Sequence, residues 1–221
     1  MTPAQPSLRQ IEAALGLGGN IGDVRKAMRQ ALASLAATQG VSLSRASSLY
    51  RTPPWGPVAQ PPFLNLALLL RTSLGPRELL DLCLAIEAEQ GRVRNERFGP
   101  RTLDIDILLY GDLVLTDERL TLPHPRLAER AFALVPLAEI APDLVIDGKR
   151  VADLSASLDL SGIEKLGALE LAAAGDAEPA ISIIRLRRTC WSRARSAPRG
   201  LRQLVGRSPR PGSRCLARQR G

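Results

Sequence analysis

The spacing of apolar residues in the first half of the chain alternates between that of a strand and that of a helix. The apolar run from Ile11 to Leu17 predicts a strand, which ends at a Gly-Gly-Asn turn. Apolar residues then recur at helical spacing from Val24 to Leu35, with Asp23 as N-cap and Gly40 at the end of the segment. Alternation over residues 41–50 predicts a second strand.

The same succession continues to residue 110. A loop with five prolines and one glycine occupies residues 52–62, and an apolar strand follows over Phe63–Leu70. Pro76 opens a second helix that ends at Gly91, since proline suits the first turn of a helix and glycine the position after its last turn. After an arginine-rich loop, Thr102–Tyr110 is predicted to be a strand.

This order, β-α-β-β-α-β, predicts an α+β fold of the ferredoxin-like kind. In that arrangement both helices cover one face of an antiparallel sheet, and the other face is expected to be free for a ligand. A second part, residues 111–160, carries a predicted hairpin from Leu113–Leu115 to Leu120–Leu122 and a short helix around Phe132–Ala138.

Composition agrees with a folded protein and narrows its class. The chain has 221 residues, of which 45% are hydrophobic and 24% charged, and its longest central apolar stretch, Leu66–Leu70, is too short to cross a membrane. With no signal-like N-terminus, we expect a soluble, cytoplasmic protein without membrane contact. Its three cysteines are odd in number and lack metal-binding spacing, which argues against a disulfide framework and a zinc ribbon.

The net charge of +8 is unevenly distributed. Residues 1–165 hold 18 basic and 19 acidic residues, a net charge of −1, whereas residues 166–221 hold 12 arginines and three acids, a net charge of +9. The body, residues 11–165 after a polar lead-in of 1–10, is long enough to form a domain alone. The basic charge that would indicate a nucleic-acid partner therefore belongs to the tail.

Two carboxylates give the clearest chemical signal. Side chains alternate faces along a strand, so Asp104 and Asp106 are predicted to emerge together, about 7 Å apart, opposite a core face formed by Leu103, Ile105, Ile107 and Leu109. Two carboxylates on a rigid face suit a hard cation. The alternative is that they only keep an exposed sheet face soluble.

The loop before this strand holds four arginines, bracketed by glycines. Because guanidinium groups bind phosphate oxygens bidentately, these cations next to two carboxylates indicate a polyphosphate with bound magnesium. Local Arg-Glu pairs in a solvated loop are the alternative. Phosphate-binding glycine loops of the known spacing and a nucleophile elbow are absent, and the only histidine, His124, excludes multi-histidine chemistry. His124 lies between two prolines, where a structural role is the alternative to a role in the site.

Several of these segments together are typical of one family. They are RTPP at 51–54, FLN at 63–65, GRVR at 91–94, RFGPRTLDID at 97–106 and LPHP at 122–125. Over residues 11–148 the chain closely resembles the 6-hydroxymethyl-7,8-dihydropterin pyrophosphokinases of folate biosynthesis. The resemblance implies transfer of pyrophosphate from ATP to the pterin's hydroxymethyl oxygen, release of AMP and use of two magnesium ions, in an enzyme expected to act as a monomer.

The resemblance also implies roles for individual residues. Asp104 and Asp106 would be magnesium ligands, and Arg92 and Arg101 would be the catalytic arginines of a lid. Arg94, Arg97, Arg119, His124 and Arg130 would bind ATP or line the lid. Asn65 would bond the pterin edge, Phe63 and Phe132 would flank its plane, and Thr52, Pro53 and Trp55 would form the proline-rich wall. A flat heterocycle needs such stacking surfaces, and an ionised phosphoryl donor needs cations. For Phe63 and Phe132 a role in the core is the alternative.

The chain departs from the family at three positions. Gly19 replaces a serine, Phe98 replaces a common tryptophan, and Leu84 replaces a glutamine found in some members. The contacts of those side chains would be lost, but no metal ligand or lid arginine is affected. Glu87, at the end of the second predicted helix, would either anchor the base of the arginine loop or lie in solvent.

The tail is the least family-like part. From residue 185 onward it has 12 arginines and no acid, and it is too poor in apolar residues to offset the entropy of ordering it, so we expect disorder. The tail has two alternative interpretations. It could function as an RNA-binding arm, or its sequence could come from a frame-shifted reading of a GC-rich gene. The competing function for the whole chain is a nucleic-acid-binding ferredoxin-like module that uses the arginine loop and this tail.

Overall fold

The computed structural model describes residues 10–56, 59–91 and 99–170. Its elements follow one another as β1 (Ile11–Gly19), α1 (Val24–Ala37), β2 (Val41–Ala46), β3 (Leu49–Thr52), β4 (Phe63–Thr72), α2 (Pro76–Glu89), β5 (Asp104–Tyr110), β6 (Leu115–Thr116), β7 (Thr121–Leu122), a 3₁₀ turn (Leu127–Glu129), α3 (Ala131–Ile140), β8 (Val145–Ile146), β9 (Lys149–Arg150), α4 (Val151–Ala156) and β10 (Glu164–Gly167).

The main sheet is antiparallel in every pairing and has the order β10-β3-β4-β1-β5, with β2 also paired to β4. The mixed α+β class is therefore confirmed. The predicted second strand is divided into β2 and β3, because the extended segment is interrupted at Ser47. The buried Ser47 hydroxyl accepts a hydrogen bond from the backbone N–H of Ala67 at 2.9 Å, and the Ser47 N–H donates to the Ala67 carbonyl at 2.9 Å.

Helices α1 and α2 cover one face of the sheet, as the apolar spacing predicts. The Asp23 carboxylate caps α1 by accepting from the Lys26 N–H at 2.9 Å, and α1 buries Met28, Ala31 and Leu35. Pro76 opens α2, where the Gly75 N–H donates to the Glu78 carboxylate at 2.6 Å. These local signals fix the helix starts, and burial of the apolar stripe against the sheet holds the helices in place.

The opposite face of the sheet is only partly free, which corrects the prediction that all of it is left for a ligand. Leu134 and Leu137 of α3, together with Val151 of α4, form a second apolar cluster against β4 and β5. The sequence predicts Leu109 on the same face as Ile107, yet Leu109 belongs to this second cluster. The reason is an irregularity in the pairing of β1 with β5, where the register shifts between Ala14 and Leu15.

The predicted domain boundary at residue 165 does not coincide with the end of the last strand. That boundary falls inside β10, which pairs with β3, and Leu169 is buried in the first apolar cluster at 7% exposure. The signal was weak because β10 has four residues and little apolar character. The prediction of a disordered tail concerns residues that, from 171 onward, lie outside the described part.

The predicted hairpin after residue 111 is confirmed as β6 and β7, and the predicted short helix is α3. The peptide bond between Leu122 and Pro123 is cis. Within residues 10–56, 59–91 and 99–170, none of the helices combines the length and the apolar character that a membrane span requires.

Candidate active site

A cleft lies at the part of the second sheet face that α3 and α4 leave uncovered. Its volume is about 880 Å³ when the part open to solvent is included. Strands β1, β3, β4 and β5, the proline-rich loop, the His124 turn and the start of α3 contribute to it. Its lining includes most of the predicted site residues, namely Thr52, Pro53, Trp55, Phe63, Asn65, Arg101, Asp104, Asp106, His124, Arg130 and Phe132.

The floor of the cleft is the central strand β1, at Gly16 and Gly18. Gly18 is the cross-strand partner of Asn65 on one side and of Asp104 on the other. A Cβ at Gly18 would lie 2.6 Å from the Asn65 side-chain oxygen, so only glycine leaves room for that amide. Two glycines at alternate positions of a predicted strand are the sequence signal for such a floor. The spacing of these glycines does not match the dinucleotide-binding motif, so that motif does not identify them.

One side of the cleft is polar but uncharged. Asn65 is 6% exposed and donates from Nδ2 to the Thr52 hydroxyl at 2.8 Å. Half-buried Phe63 and Phe132 offer aromatic surface nearby. Because the Asn65–Thr52 bond fixes the amide in place, this side is organised before any ligand arrives. We call Thr52, Phe63, Asn65 and Phe132 the neutral side.

The opposite side carries the two carboxylates of β5. The Asp104 side chain is 16% exposed and forms an ion pair with Arg101. The Asp106 side chain is 39% exposed and lies 3.4 Å from Nη1 of Arg130. Both carboxylates line the cleft and face arginines, which disfavours the alternative of a merely solvated sheet face. We call Arg101, Asp104, Asp106, His124 and Arg130 the charged side.

Glu87 supports the strand that carries these carboxylates. It is 3% exposed, so it is not the solvated helix end that was one alternative, and its carboxylate accepts a hydrogen bond from the Ile105 N–H at 2.7 Å. Ile105 lies between Asp104 and Asp106. The contact therefore fixes the backbone of β5 where its two acidic side chains emerge.

Asn20 anchors the segment that carries Arg101. Its Oδ1 accepts from the Arg101 N–H at 2.8 Å, and its own N–H donates to the Arg101 carbonyl at 2.8 Å. Its Nδ2 donates to Gln60 at 3.1 Å and to the Pro61 carbonyl at 3.0 Å. Sequence reasoning treated Asn20 only as part of a turn. Its position directly after the glycine-rich strand β1 was the signal that could have singled it out.

His124 is uncharged at neutral pH. Burial lowers its pKa to about 4, and the positive charges of Arg130 and Arg126 act in the same direction. Its Nδ1 accepts from the Arg126 N–H at 3.3 Å, which leaves the ring proton on Nε2. Nε2 lies 3.3 Å from Nη1 of Arg130. Two N–H donors thus lie side by side, an arrangement that suits an anionic oxygen.

Arg130 is the most buried arginine of the charged side, with 12% of its side chain exposed. Burial lowers the pKa of its guanidinium, while the nearby Asp106 carboxylate raises it. Its Nε is buried and has no hydrogen-bond partner among the described residues. Its Cζ lies 5.2 Å from the Trp55 ring centroid and 5.5 Å from that of Phe132. Arg130 therefore joins the aromatic surfaces to the carboxylates.

The number of acidic ligands in the cleft fits a magnesium ion. Within residues 10–56, 59–91 and 99–170, no group of three or more His, Cys, Asp or Glu residues could hold a metal by itself. Two carboxylates lie together, as Asp104 and Asp106. This matches magnesium, which proteins commonly bind through one or two carboxylates, with waters and substrate phosphates as the other ligands.

Four predicted residues are not seen in the cleft. Arg119 contacts Asp81 of α2, with its Nη2 2.5 Å from Oδ1, on an exposed surface, so its assignment to the nucleotide stays a prediction. Arg92, Arg94 and Arg97 lie outside the described residues, as does Phe98. At Gly19 a Cβ would lie 2.5 Å from the Thr102 carbonyl oxygen, so the serine usual at this position would require the backbone to shift.

Comparison with known proteins places this arrangement. Residues 14–142 match the family described as 7,8-dihydro-6-hydroxymethylpterin-pyrophosphokinase (HPPK). Three similar proteins carry the name 2-amino-4-hydroxy-6-hydroxymethyldihydropteridine pyrophosphokinase. The protein of Methylorubrum extorquens is 54% identical over 154 residues, which cover 70% of this chain and 98% of that protein. Those of Synechocystis and Pseudomonas aeruginosa are 47% and 45% identical, over 72% and 69% of this chain and 85% and 94% of theirs.

Solved structures show a similar fold. Wild-type HPPK-DHPS of Plasmodium falciparum superposes with a TM-score of 0.54 at 15% sequence identity. The match covers 67% of this chain and 44% of that one, so this chain corresponds to less than half of the longer protein. At this identity the likeness concerns the fold alone.

Proposed function

The chain belongs to the 7,8-dihydro-6-hydroxymethylpterin-pyrophosphokinase family, and from this premise we propose that its cleft transfers pyrophosphate from magnesium-bound ATP to the hydroxymethyl oxygen of 6-hydroxymethyl-7,8-dihydropterin. It is a pyrophosphokinase of folate biosynthesis, as its relatives are. The observation that carries the proposal is the meeting of the neutral and charged sides in one cleft, which suits two substrates of opposite character.

The neutral side is proposed to bind the pterin. A pterin is a flat heterocycle with donors and acceptors along its edge, and it needs aromatic surfaces and a fixed amide. Phe63 and Phe132 supply the surfaces, and the buried Asn65 amide, held by Thr52, supplies the edge contacts. Pro53 and Trp55 close this side as the proline-rich wall. The alternative of purely core roles for the two phenylalanines is disfavoured because both line the cleft.

The charged side is proposed to bind the nucleotide's phosphates. Asp104 and Asp106 would hold magnesium, of which the family resemblance implies two ions, and the metal would neutralise charge on the phosphate oxygens. The ion pairs of Asp104 with Arg101 and of Asp106 with Arg130 would then be exchanged, because carboxylates that bind a cation no longer need the arginines. The released guanidiniums and the neutral His124 would bind phosphate oxygens.

The transfer itself needs no protein nucleophile. The hydroxymethyl oxygen of the pterin attacks the β-phosphorus of ATP, and the bond from that phosphorus to the oxygen bridging to the α-phosphate breaks. AMP leaves with the bridging oxygen, and the hydroxyl proton is released. Arg101, and Arg92 from outside the described residues, are assigned to stabilise the charge on the transferring group. Arg94 and Arg97 are assigned to the same loop, and Arg119 to the nucleotide.

Three finer interpretations belong to the same proposal. We interpret the sheet as ferredoxin-like. If β2 and β3 are counted together as one interrupted strand, the order of this strand, β4, β1 and β5 is the one expected for the four strands of that fold. The enzyme is proposed to act as a monomer, in the cytoplasm. The alternative function, a nucleic-acid-binding module, has no support in the comparisons, and a backbone phosphate would meet the two carboxylates unless metals intervened.

The direct test is to identify the products. The full chain is incubated with ATP, magnesium and 6-hydroxymethyl-7,8-dihydropterin, and the nucleotide product is separated by ion-exchange chromatography. We expect AMP in equal amount to a pterin diphosphate, with no AMP when the pterin is omitted. ADP with a pterin monophosphate would show a kinase of a different class, and pterin-independent hydrolysis would reject the assignment of the neutral side.

A further inference from the structure

The Trp55 ring contacts two arginines, and this contact has no part in the pterin wall assigned to it above. The Cζ atoms of Arg126 and Arg130 each lie 5.2 Å from the Trp55 ring centroid, within the range of an attractive cation–π contact. Trp55 lies on the proline-rich loop, whereas both arginines lie beyond the His124 turn. The ring thus links the two sides of the cleft.

Arg126 is not among the residues that line the cleft, yet it lies within electrostatic reach of them. Its charge lowers the pKa of both His124 and Arg130. Its backbone N–H donates to Nδ1 of His124, and its side chain is half-buried. Two guanidiniums and two carboxylates line the cleft itself, and Arg126 adds a third guanidinium at the end where Arg130 and His124 present their N–H groups.

Like charges placed together and partly removed from water raise one another's energy, and an anion relieves that repulsion. The aromatic ring is a surface against which two guanidiniums can pack, because the cation–π contact uses the plane of each group and not its edge. Trp55 therefore offers a way to hold two arginines ready for one polyanion.

We propose that Trp55 is a positioning residue, which holds Arg126 beside Arg130, and that Arg126 is a further phosphate-binding residue for the nucleotide. Arg126 was not assigned to the site from the sequence. This inference rests on the proposed function, since it takes the anion to be the triphosphate of ATP. The tryptophan acts through the arginines, and its effect on the nucleotide is separate from its contact with the pterin.

Binding of magnesium α,β-methylene-ATP to the full chain, measured by isothermal titration calorimetry without pterin, tests the proposal. Arg126→Ala should weaken binding about 10-fold, the usual contribution of one charge-assisted hydrogen bond. Trp55→Leu should weaken it to a similar extent, and Trp55→Phe, which keeps an aromatic face, by about threefold at most. Arg71→Ala is the matched control, because Arg71 is exposed at the far end of β4 and pairs weakly with Glu12 at 3.7 Å.

Four readouts separate positioning from a general structural effect. The loss of affinity in Arg126→Ala should be smaller in 0.5 M salt, because the Debye length there is roughly 3 to 5 Å and charge–charge contacts are screened. Arg126→Lys should recover part of the affinity, because it keeps the charge but not the planar stacking. The double variant that combines Trp55→Leu with Arg126→Ala should lose less affinity for the analogue than the product of the two single fold-losses, since Trp55 acts through Arg126. The KM for the pterin should be unchanged in Arg126→Ala.

The proposal is wrong if Arg126→Ala binds the analogue within twofold of the wild type and of Arg71→Ala, or if the losses in the double variant multiply. Should Trp55→Leu fail to fold, as judged by its thermal unfolding, the Arg126 variants and Trp55→Phe still decide the matter. The proposed function fails separately. If the wild type forms no AMP from ATP and pterin while Arg126→Ala still weakens analogue binding, the arginine assignment stands and the reaction assignment does not.

Discussion

The neutral and charged sides share the floor of one cleft but differ in how their polar groups are satisfied. On the neutral side Asn65 and Thr52 bond each other, so the amide is held before a ligand binds. On the charged side Asp104 and Asp106 are neutralised by Arg101 and Arg130, and Nε of Arg130 has no partner among the described residues. We infer that the first side recognises the shape of a ligand, and that the carboxylates and arginines of the second side exchange partners when a ligand binds.

This difference predicts which changes affect which property. A substitution on the charged side should reduce the rate, since the arginines engage only when the phosphates displace the carboxylates. A substitution on the neutral side should reduce affinity for one substrate and leave the rate of bound complexes nearly unchanged. The predictions below follow from the largest expected effect to the smallest.

The largest effect is expected for the catalytic arginines. Arg101→Ala should lower kcat about 10³-fold with a much smaller change in ground-state ATP binding, because arginines that stabilise a transferring phosphoryl group act mainly in the transition state. The same is expected for Arg92→Ala. Steady-state kinetics at saturating pterin measures this. If both variants changed only KM, the arginines would be binding residues and the proposed exchange of partners would be wrong.

Removal of a carboxylate should be nearly as damaging. Asp104→Ala or Asp106→Ala should lower turnover at least ~100-fold at low millimolar magnesium, since each would remove a hard-cation ligand that no neighbour replaces. Thermal unfolding should show that the fold survives. Asp153→Ala is a suitable control, because Asp153 pairs with Arg150 on an exposed surface and does not line the cleft. Wild-type-like activity in both site variants would remove the metal assignment.

On the neutral side, Asn65→Ala should raise the pterin KM about 10-fold or more and change kcat little, since hydrogen bonds to the pterin edge are lost in ground and transition states alike. It should also cost about 1 kcal/mol of stability, because the buried Thr52 hydroxyl loses its partner. An equal loss in nucleotide affinity would contradict the division between the two sides.

Outside the cleft, the position of the domain end can be tested by two truncations. Deletion from residue 166 removes part of β10 and the buried Leu169, and it should lower the free energy of unfolding by about 3 kcal/mol, from lost burial and strand pairing. Deletion from residue 171 keeps every described contact and serves as the control. Equal unfolding temperatures for the two proteins would show that β10 does not stabilise the domain.

The smallest predicted effect is a pH dependence that comes from His124. Its folded pKa of about 4 lies below the ordinary value of 6.5, so between these values the unfolded chain binds a proton that the folded chain does not. Stability should therefore fall as the pH drops from about 6.5 to about 4. His124→Gln should lose that part of the decline. If Tm fell with pH in the same way in the wild type and in His124→Gln, the assignment of an uncharged His124 would be contradicted.

The sequence predicts the elements that rest on local signals. Pro76 and Asp23 mark the starts of α2 and α1, and the apolar periods mark β1, β4 and β5. It does not predict features that depend on distant partners. The break at Ser47 requires the backbone of Ala67, the shift at Leu109 comes from a bulge, and the covering of the second sheet face depends on how α3 packs.

The same distinction applies to the site. Eleven of the predicted residues line the cleft, and six of them belong to short, rigid motifs, since five lie on strands and His124 lies at a proline-flanked turn. Asn20, Glu87 and Arg126 contribute through contacts with residues distant in the chain, and no local pattern shows which residues those are. Arg119 was assigned by motif, but in the structure it pairs with Asp81.

The most direct test of the division between the two sides is a crossed binding experiment. The affinity of Asn65→Ala and of Asp104→Ala is measured for magnesium α,β-methylene-ATP and, with that analogue saturating, for 6-hydroxymethyl-7,8-dihydropterin. We predict that Asn65→Ala loses at least about 10-fold in pterin affinity and keeps its nucleotide affinity. Asp104→Ala should lose nucleotide affinity and keep that for the pterin. Both variants weakening both ligands to the same extent would contradict the account.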